Sequence, residues 1–254
     1  MSLVNIEHDS DGAVRIIEIN RPEKYNALGP DLISQLSASI REAIEETSVR
    51  VIHLRGAGKS FCAGGDMKWM ALMDPDTSDI DPDVLYDLLN LVSQSQKPVT
   101  AYVHGRMFGG GVGLVAACDL VVADSGATFC LPELKHGLVP AMIYPFLARR
   151  LSRQVIRELT LSARVITAQE AVENLLIDTM ESRDSAEVVS TIKTWHTALI
   201  AAAPVATAFA KQLFTKHPTL KDDDSRDYVL SEIDRARRAD EAQARILAFF
   251  SKNL

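Results

Sequence analysis

Between Pro98 and Pro140 the chain reads PVTAYVHGRMFGGGVGLVAACDLVVADSGATFCLPELKHGLVP, and glycines at Gly109, Gly110, Gly111 and Gly113 restrict what this stretch can become. The apolar residues Val99, Ala101 and Val103 predict a strand, the glycines a tight turn, and the small apolar residues through Cys118 a buried helix. Glycine inside a helix costs about 1 kcal/mol against alanine. The offsetting gain is a backbone that another group can approach closely, with unpaired N–H groups facing it. Such a helix start holds an anion, or an oxygen that becomes one during a reaction.

The remaining chain supplies a frame for that turn. Val4–Ile6 and Val14–Ile19 flank His8-Asp9-Ser10-Asp11-Gly12, the pattern of a hairpin. NRPEKYNALG reads as loop, after which Asp31 is expected to cap an amphipathic helix carrying Leu32, Ile33, Leu36, Ile40 and Ile44. Val49–Leu54 is a β-branched run, expected as a buried strand, and FCAGGDMKWM opens a helical segment after it. Asp74–Asp83 is polar and proline-broken, so a mobile surface loop is expected, followed by a helix from about Val84 to Ser95. Beyond Pro145 the pattern is helical almost throughout, ending in one helix from about Ser225 to Phe250. Early alternation of strand and helix followed by helices alone predicts an α/β core over 1–188 and a helical subdomain over 189–254.

Charge and composition exclude several classes. A net charge of -7 disfavours nonspecific nucleic-acid binding. No apolar run approaches the ~20 residues of a membrane span, and the segment MSLVNIEHDSDG has neither a basic region nor an apolar signal core, so no membrane association and a cytoplasmic location are expected. Cys62, Cys118 and Cys130 follow no zinc or redox spacing, and the 6 histidines are scattered, so no metal site is expected. Cys62 beside Ala63 has no histidine partner by spacing and reads as core. Gly111–Ala116 satisfies GxGxxA, with Glu133 downstream as the acidic residue of a dinucleotide fold. A dinucleotide turn follows its strand directly, however, whereas His104–Phe108 intervene here.

FCAGGD and MFGGGVG share one design: a strand, a turn of small residues, then a helix start. Side by side, the two turns aim one N–H each at a single carbonyl oxygen, as stabilisation of an enolate or a tetrahedral oxyanion requires. Together with NRPEKYNAL (20–28), GAGKSFCAGGD (56–66), GGGVGLVAACDLVVA (109–123) and FCLPELKHGLVP (129–140), in that order, they make the chain resemble the crotonase (enoyl-CoA hydratase/isomerase) superfamily over essentially its full length. GGGVGLVAACD and GLVPAMIYP are closer to its single-glutamate, methylglutaconyl-CoA-hydratase-like members.

The resemblance implies an α/β, crotonase-like spiral of ββα units with a C-terminal helical subdomain, assembled as a homotrimer or hexamer. It implies an acyl-CoA substrate, with coenzyme A present only as part of the thioester and no separate cofactor. By the same resemblance Ala63 and Gly110 supply the two oxyanion N–H groups, and Glu133 is the acid/base. Lys24, Ala27 and Leu28, with Gly64, Gly65, Asp66 and Met67, line the adenine and pantetheine; Gly109 and Gly113 border the substrate; Phe249 and Lys252 reach CoA across a subunit boundary.

One departure stands out. Typical hydratases of this family carry two glutamates, and here the first position is Gly113 while the second is Glu133. Three readings follow: a hydratase working with one glutamate and a water, an enoyl-CoA isomerase needing one base, and an acyl-CoA-binding protein without chemistry. If the site lacks only its second carboxylate, Gly113→Glu restores it where volume and charge allow. Glu133 sits between Leu131 and Leu134 after Pro132, surroundings that raise a carboxyl pKa toward the useful range. The alanine-rich helices beyond Val189 offer more apolar surface than a small subdomain buries, so they are expected between subunits.

Overall fold

The amino-terminal hairpin forms as the sequence predicts, and it sets the edge on which the rest is laid. A computed structural model describes residues 2–71, 83–183, 185–216 and 222–252, the side chains of residues 70, 71, 222, 223, 249, 250 and 252 excepted. Strands β1 (Val4–His8) and β2 (Val14–Ile19) pair antiparallel, and the Asp9 carboxylate accepts the Val14 N–H at 2.9 Å across the turn. Helix α1 (Pro30–Glu45) buries Leu32, Ile33, Leu36 and Ile40 as expected. Its cap is not Asp31: Gly29 is the N-cap without a side-chain hydrogen bond, and Pro30 fills the first helical position, placing Asp31 in the first turn.

From β2 onward the main sheet is parallel. Strand β3 (Val51–Gly56) lies on β2, then come β4 (Val99–Val103), β6 (Leu120–Asp124) and β9 (Thr179–Glu181), in the order β1-β2-β3-β4-β6-β9. Central parallel strands are covered on both faces, which is why VIHL in β3 is buried without alternation. After each central strand the chain bends into a second layer before a helix carries it back. Beyond β3, Cys62 bridges in parallel to Met107 of β5 (Arg106–Phe108), the short strand that follows β4. Strand β7 (Thr128–Cys130), which follows β6, pairs parallel to β5, and β8 (Val165–Thr167) closes the layer antiparallel. Each bend is followed by helix: α2 (Met67–Ala71) and α3 (Asp83–Gln94), then α4 (Gly110–Ala117), then α5 (Tyr144–Arg150). These successive ββα turns are the spiral that the resemblance implies. All of α4 is buried. Of the expected mobile loop over Asp74–Asp83, only Asp83 lies within the described residues, where it opens α3.

Helices α6 (Arg153–Ser162) and α7 (Ala168–Glu173) flank the second layer. Helix α8 (Ala186–Ala201) packs on β3, β6 and β9, so a boundary between 188 and 189 falls inside one continuous helix seated on the core sheet. The chain then turns at Pro204 into α9 (Pro204–Lys216), which packs against α3. Two polar ties hold this turn to the core. The Arg50 guanidinium donates to the Ala202 carbonyl at 2.6 Å, and buried Lys211 pairs with the Asp119 carboxylate, which also accepts the Val99 N–H at 2.7 Å. The single closing helix expected from the sequence is two, α10 (Asp222–Arg238) and α11 (Asp240–Lys252), with the Gln243 amide donating to the Arg237 carbonyl freed at the break. Val189, Phe214, Ile233 and Leu247 along these helices are largely exposed. Among the described residues no single helix is long and apolar enough to cross a membrane.

Candidate functional site

Strand β5 ends at Phe108, and Gly109 turns the chain into α4 with φ 48° and ψ -116°, a conformation open to glycine alone. Its N–H is spent on the Cys130 carbonyl at 2.9 Å. Gly110 is the first residue of α4, where an N–H has no intrahelical acceptor, and none is found for it elsewhere among the described backbone groups. Gly111 packs so tightly on the other turn that a Cβ there would sit 2.2 Å from the Cys62 carbonyl oxygen. Gly64, at φ 102°, answers from the opposite side: its Cβ would lie 2.6 Å from the Phe108 oxygen and 3.8 Å from the Gly110 nitrogen. Backbone therefore meets backbone, with no side chain between the two turns.

The second turn places its donor one step away from the expected one. Ala63 donates its N–H to the Tyr25 carbonyl at 3.0 Å, so that group is already engaged, correcting its assignment as an oxyanion donor. Within the same turn the N–H left without a backbone acceptor is that of Gly65. Leu28 donates to Gly64 at 2.7 Å and accepts from Asp66 at 2.9 Å, forming a parallel bridge about Gly65. In such a bridge the intervening residue turns its own N–H away from the partner strand. Gly65 thus presents an N–H without a backbone acceptor, beside the Gly110 turn.

Asn26 holds the loop that makes this bridge, and sequence reasoning passed over it as one letter of a loop. It is fully buried at φ 58°, its side chain donating to the Ala57 and Ser60 carbonyls and accepting the Arg21 N–H at 2.7 Å. A left-handed asparagine within a proline-containing loop is the signal that identifies such a clamp. Asp66 belongs to the same clamp. Burial alone would raise its pKa, but the Arg21 guanidinium at 2.7 Å and the Lys68 and Trp69 N–H groups hold the carboxyl below its ordinary value. Its charge is committed to protein partners. Leu28 is buried with its side chain 3.3 Å from the Cβ position of Gly110, Ala27 is half-buried, and Lys24 and Met67 lie exposed. Phe249 and Lys252 occur in α11, with side chains outside the described ones.

Glu133 meets the glycine turn from the opposite side. Pro132 directs a 3₁₀ turn over Glu133–His136, and a Cβ on Gly109 would sit 2.9 Å from Glu133 Oε1. Its Oε2 is buried and has no hydrogen-bond partner among the described residues. Burial raises the pKa above the ordinary carboxylate value, outweighing its own N–H and the nearby His136. A half-buried carboxylate with one oxygen unpaired, near a helix N–H without an acceptor, is suited to moving a proton next to a developing oxyanion. Cys62, by contrast, is pushed up to about 12 by burial and stays a core thiol.

Gly113, one turn further along α4, is closed to any such group. A Cβ there would lie 2.4 Å from Ile143 Cγ2 and 3.2 Å from Leu89 Cδ1. The position is filled by apolar carbon, so a side chain there has to displace Ile143, and among the described residues Gly113 faces packed side chains and not a substrate.

Comparison with known proteins bears directly on this arrangement. Residues 9–252 match the family model described as enoyl-CoA hydratase/isomerase. The short-chain-enoyl-CoA hydratase of Clostridium acetobutylicum is 32% identical over 224 residues, 85% of this chain and 83% of that protein. Among solved structures, an enoyl-CoA hydratase from Shewanella pealeana superposes with a TM-score of 0.91 at 28% identity, covering 99% of this chain and 94% of the other. A putative enoyl-CoA hydratase/isomerase (crotonase) from Legionella pneumophila gives 0.87 at 34% identity over 99% and 97% of the two chains. With the spiral, the paired glycine turns and a match across nearly its whole length, the chain belongs to the enoyl-CoA hydratase/isomerase family.

Proposed function

We propose that the protein hydrates a 2-enoyl-CoA, straight-chain or branched in the manner of methylglutaconyl-CoA, with Glu133 as its one acid/base. The thioester carbonyl lodges between the Gly65 and Gly110 N–H groups. Glu133 takes a proton from water as the hydroxide adds to C3, the negative charge moves onto the thioester oxygen, and the same carboxyl returns its proton to C2. One water is consumed and no further acid is needed. The observation that carries this reading is the half-buried Glu133 carboxylate against Gly109, its Oε2 without a hydrogen-bond partner among the described residues, next to Gly110, whose N–H has no backbone acceptor. The relatives named enoyl-CoA hydratase agree with it. Coenzyme A enters as part of the substrate, with exposed Lys24 and Met67 at its outer end. The test is spectroscopic: enoyl-thioester absorbance falls when protein is added to crotonyl-CoA or 3-methylglutaconyl-CoA, and no change with either excludes hydration.

A second reading has its own support. Because apolar carbon occupies the Gly113 position, a single base carrying a proton between carbons also fits, as in conversion of a 3-enoyl- to a 2-enoyl-CoA. Growth of enoyl absorbance from a 3-enoyl-CoA identifies that activity, while tight binding without turnover of either substrate identifies a non-catalytic acyl-CoA-binding protein. The exposed apolar residues of α8 to α11 support a homotrimer or hexamer, for which a monomer in sedimentation at micromolar concentration is the contrary result.

A further inference from the structure

The 3₁₀ turn that carries Glu133 is weakly rooted. No residue of Glu133–His136 is fully buried, and the N-cap, Pro132, brings no side-chain hydrogen bond. Between α6 and the turn with the segment after it lies a groove of about 530 Å³, lined by Leu134, Val139 and Tyr144 on one side and Ile156, Thr160 and Leu161 on the other. A turn set over open space has few apolar contacts to fix it, so polar ties decide where its carboxyl stands. Within the turn the Lys135 N–H donates to the Pro132 carbonyl at 2.9 Å, and the Leu138 N–H to the Glu133 carbonyl at 3.0 Å. Among the described residues one side-chain hydrogen bond leaves it: the Lys135 ammonium donates to the Ala163 carbonyl at 2.7 Å. Ala163 caps the C-terminus of α6 at φ 46°, an end where a cation is favoured. The same carbonyl accepts the Cys130 thiol at 3.4 Å, and the Cys130 carbonyl accepts the Gly109 N–H at 2.9 Å. One carbonyl thus anchors both the Glu133 turn and the strand end from which the glycine turn hangs.

Resting on the reading that Glu133 is the acid/base, we propose that Lys135 is its positioning residue: tied to the end of α6, it holds the 3₁₀ turn so that the carboxyl stays against Gly109. Lys135 touches no reacting atom in this role. Without the tie the turn shifts over the groove, and the carboxyl leaves the glycine turn and gains water. A misplacement of about 1 Å costs about 10²-fold in rate.

Lys135→Met keeps the stem and removes the donor. Its kcat for crotonyl-CoA should fall by about 10- to 10²-fold with the dissociation constant of butyryl-CoA unchanged, and Lys135→Arg should recover most of the loss. A readout independent of turnover is the Glu133 titration, followed by carbon-13 NMR of labelled glutamate carboxyls and assigned with Glu133→Gln. Burial raises this pKa in the wild type, with His136 the nearby charged group, so in Lys135→Met it should drop toward the ordinary carboxylate value. A direct charge effect has the opposite sign, because removing a cation raises a carboxyl pKa. Lys135→Gln, too short for the tie, is measured alongside in case Lys135→Met does not fold by circular dichroism, and it should shift the same way. A Glu133 pKa that stays or rises in the folded variants, or a kcat equal to that of an active wild type, overturns the proposal. Wild-type protein that turns over no enoyl-CoA defeats the acid/base reading, and the fall in the Glu133 pKa then still supports the tie.

Discussion

Gly109 and Gly113 bracket the start of one helix, and both lack a side chain, but the space each leaves is taken by opposite chemistry. At Gly109 the neighbour is the Glu133 carboxylate, 2.9 Å from where a Cβ would stand; at Gly113 it is Ile143 carbon at 2.4 Å. The first glycine admits a reactive group and the second admits a wall. A missing glutamate at Gly113 is therefore not a vacancy awaiting repair, because the surrounding core has already been packed as apolar.

The contrast can be broken most forcefully at its reactive end. Glu133→Gln keeps the shape and removes the proton carrier, so hydration of crotonyl-CoA should fall by about 10²- to 10⁴-fold while butyryl-CoA binding persists. An active Glu133→Gln protein would assign the proton transfer elsewhere. Gly110→Pro deletes one donor at a helix position that tolerates proline, and turnover should drop by about 10²- to 10³-fold in a protein that remains folded. If turnover is unchanged, the carbonyl binds away from α4.

Alanine at the two glycines sharpens the comparison further. Gly109→Ala strains a glycine-only conformation by about 1–3 kcal/mol and pushes into Glu133, so stability and turnover should fall together. Gly113→Ala overpacks the core against Ile143, lowering stability by about 1–3 kcal/mol with turnover largely kept. Thermal melts and crotonyl-CoA kinetics on both variants decide it, and equal loss of turnover in the two would erase the distinction. Gly113→Glu should be less stable than Gly113→Ala and no faster.

The smallest effect is electrostatic. Burial raises the Glu133 pKa in the folded protein, so the carboxylate form opposes folding: its cost is absent below the ordinary carboxyl pKa and complete once pH passes above the raised folded value. Glu133→Gln should therefore melt slightly higher than wild type near neutral pH, with the gap closing in acid. The acid limb of kcat/KM should lie above the ordinary carboxylate range for the same reason. A gap that widens in acid would mean that Glu133 is stabilised as an anion.

Much of this was legible in the chain, because strands, glycine turns and Glu133 after Pro132 are local patterns. What stayed hidden depends on contacts between distant segments. Which N–H in FCAGGD is unpaired is decided by Leu28 bridging about Gly65 and by the Tyr25 carbonyl taking Ala63, pairings with no local signature. Ile143 is separated from Gly113 by β6, β7 and the Glu133 turn, so its approach is a product of the spiral. The break at Ala239 has neither glycine nor proline to announce it, and the expected helix runs on through. Asp31 failed as a cap because Pro30 had already claimed the first helical position.

The donors at Gly65 and Gly110 belong to the main chain, and this has a bearing on how such a protein can change over time. A side-chain donor is lost by one substitution, whereas a peptide N–H survives every replacement except proline. If the carbonyl binds as proposed, the oxygen-binding half of the site is inherited with the path of the chain, and drift is free to act on the side chains around it. New preferences can then arise by exchanging side chains while the polarising groups stay where the backbone puts them.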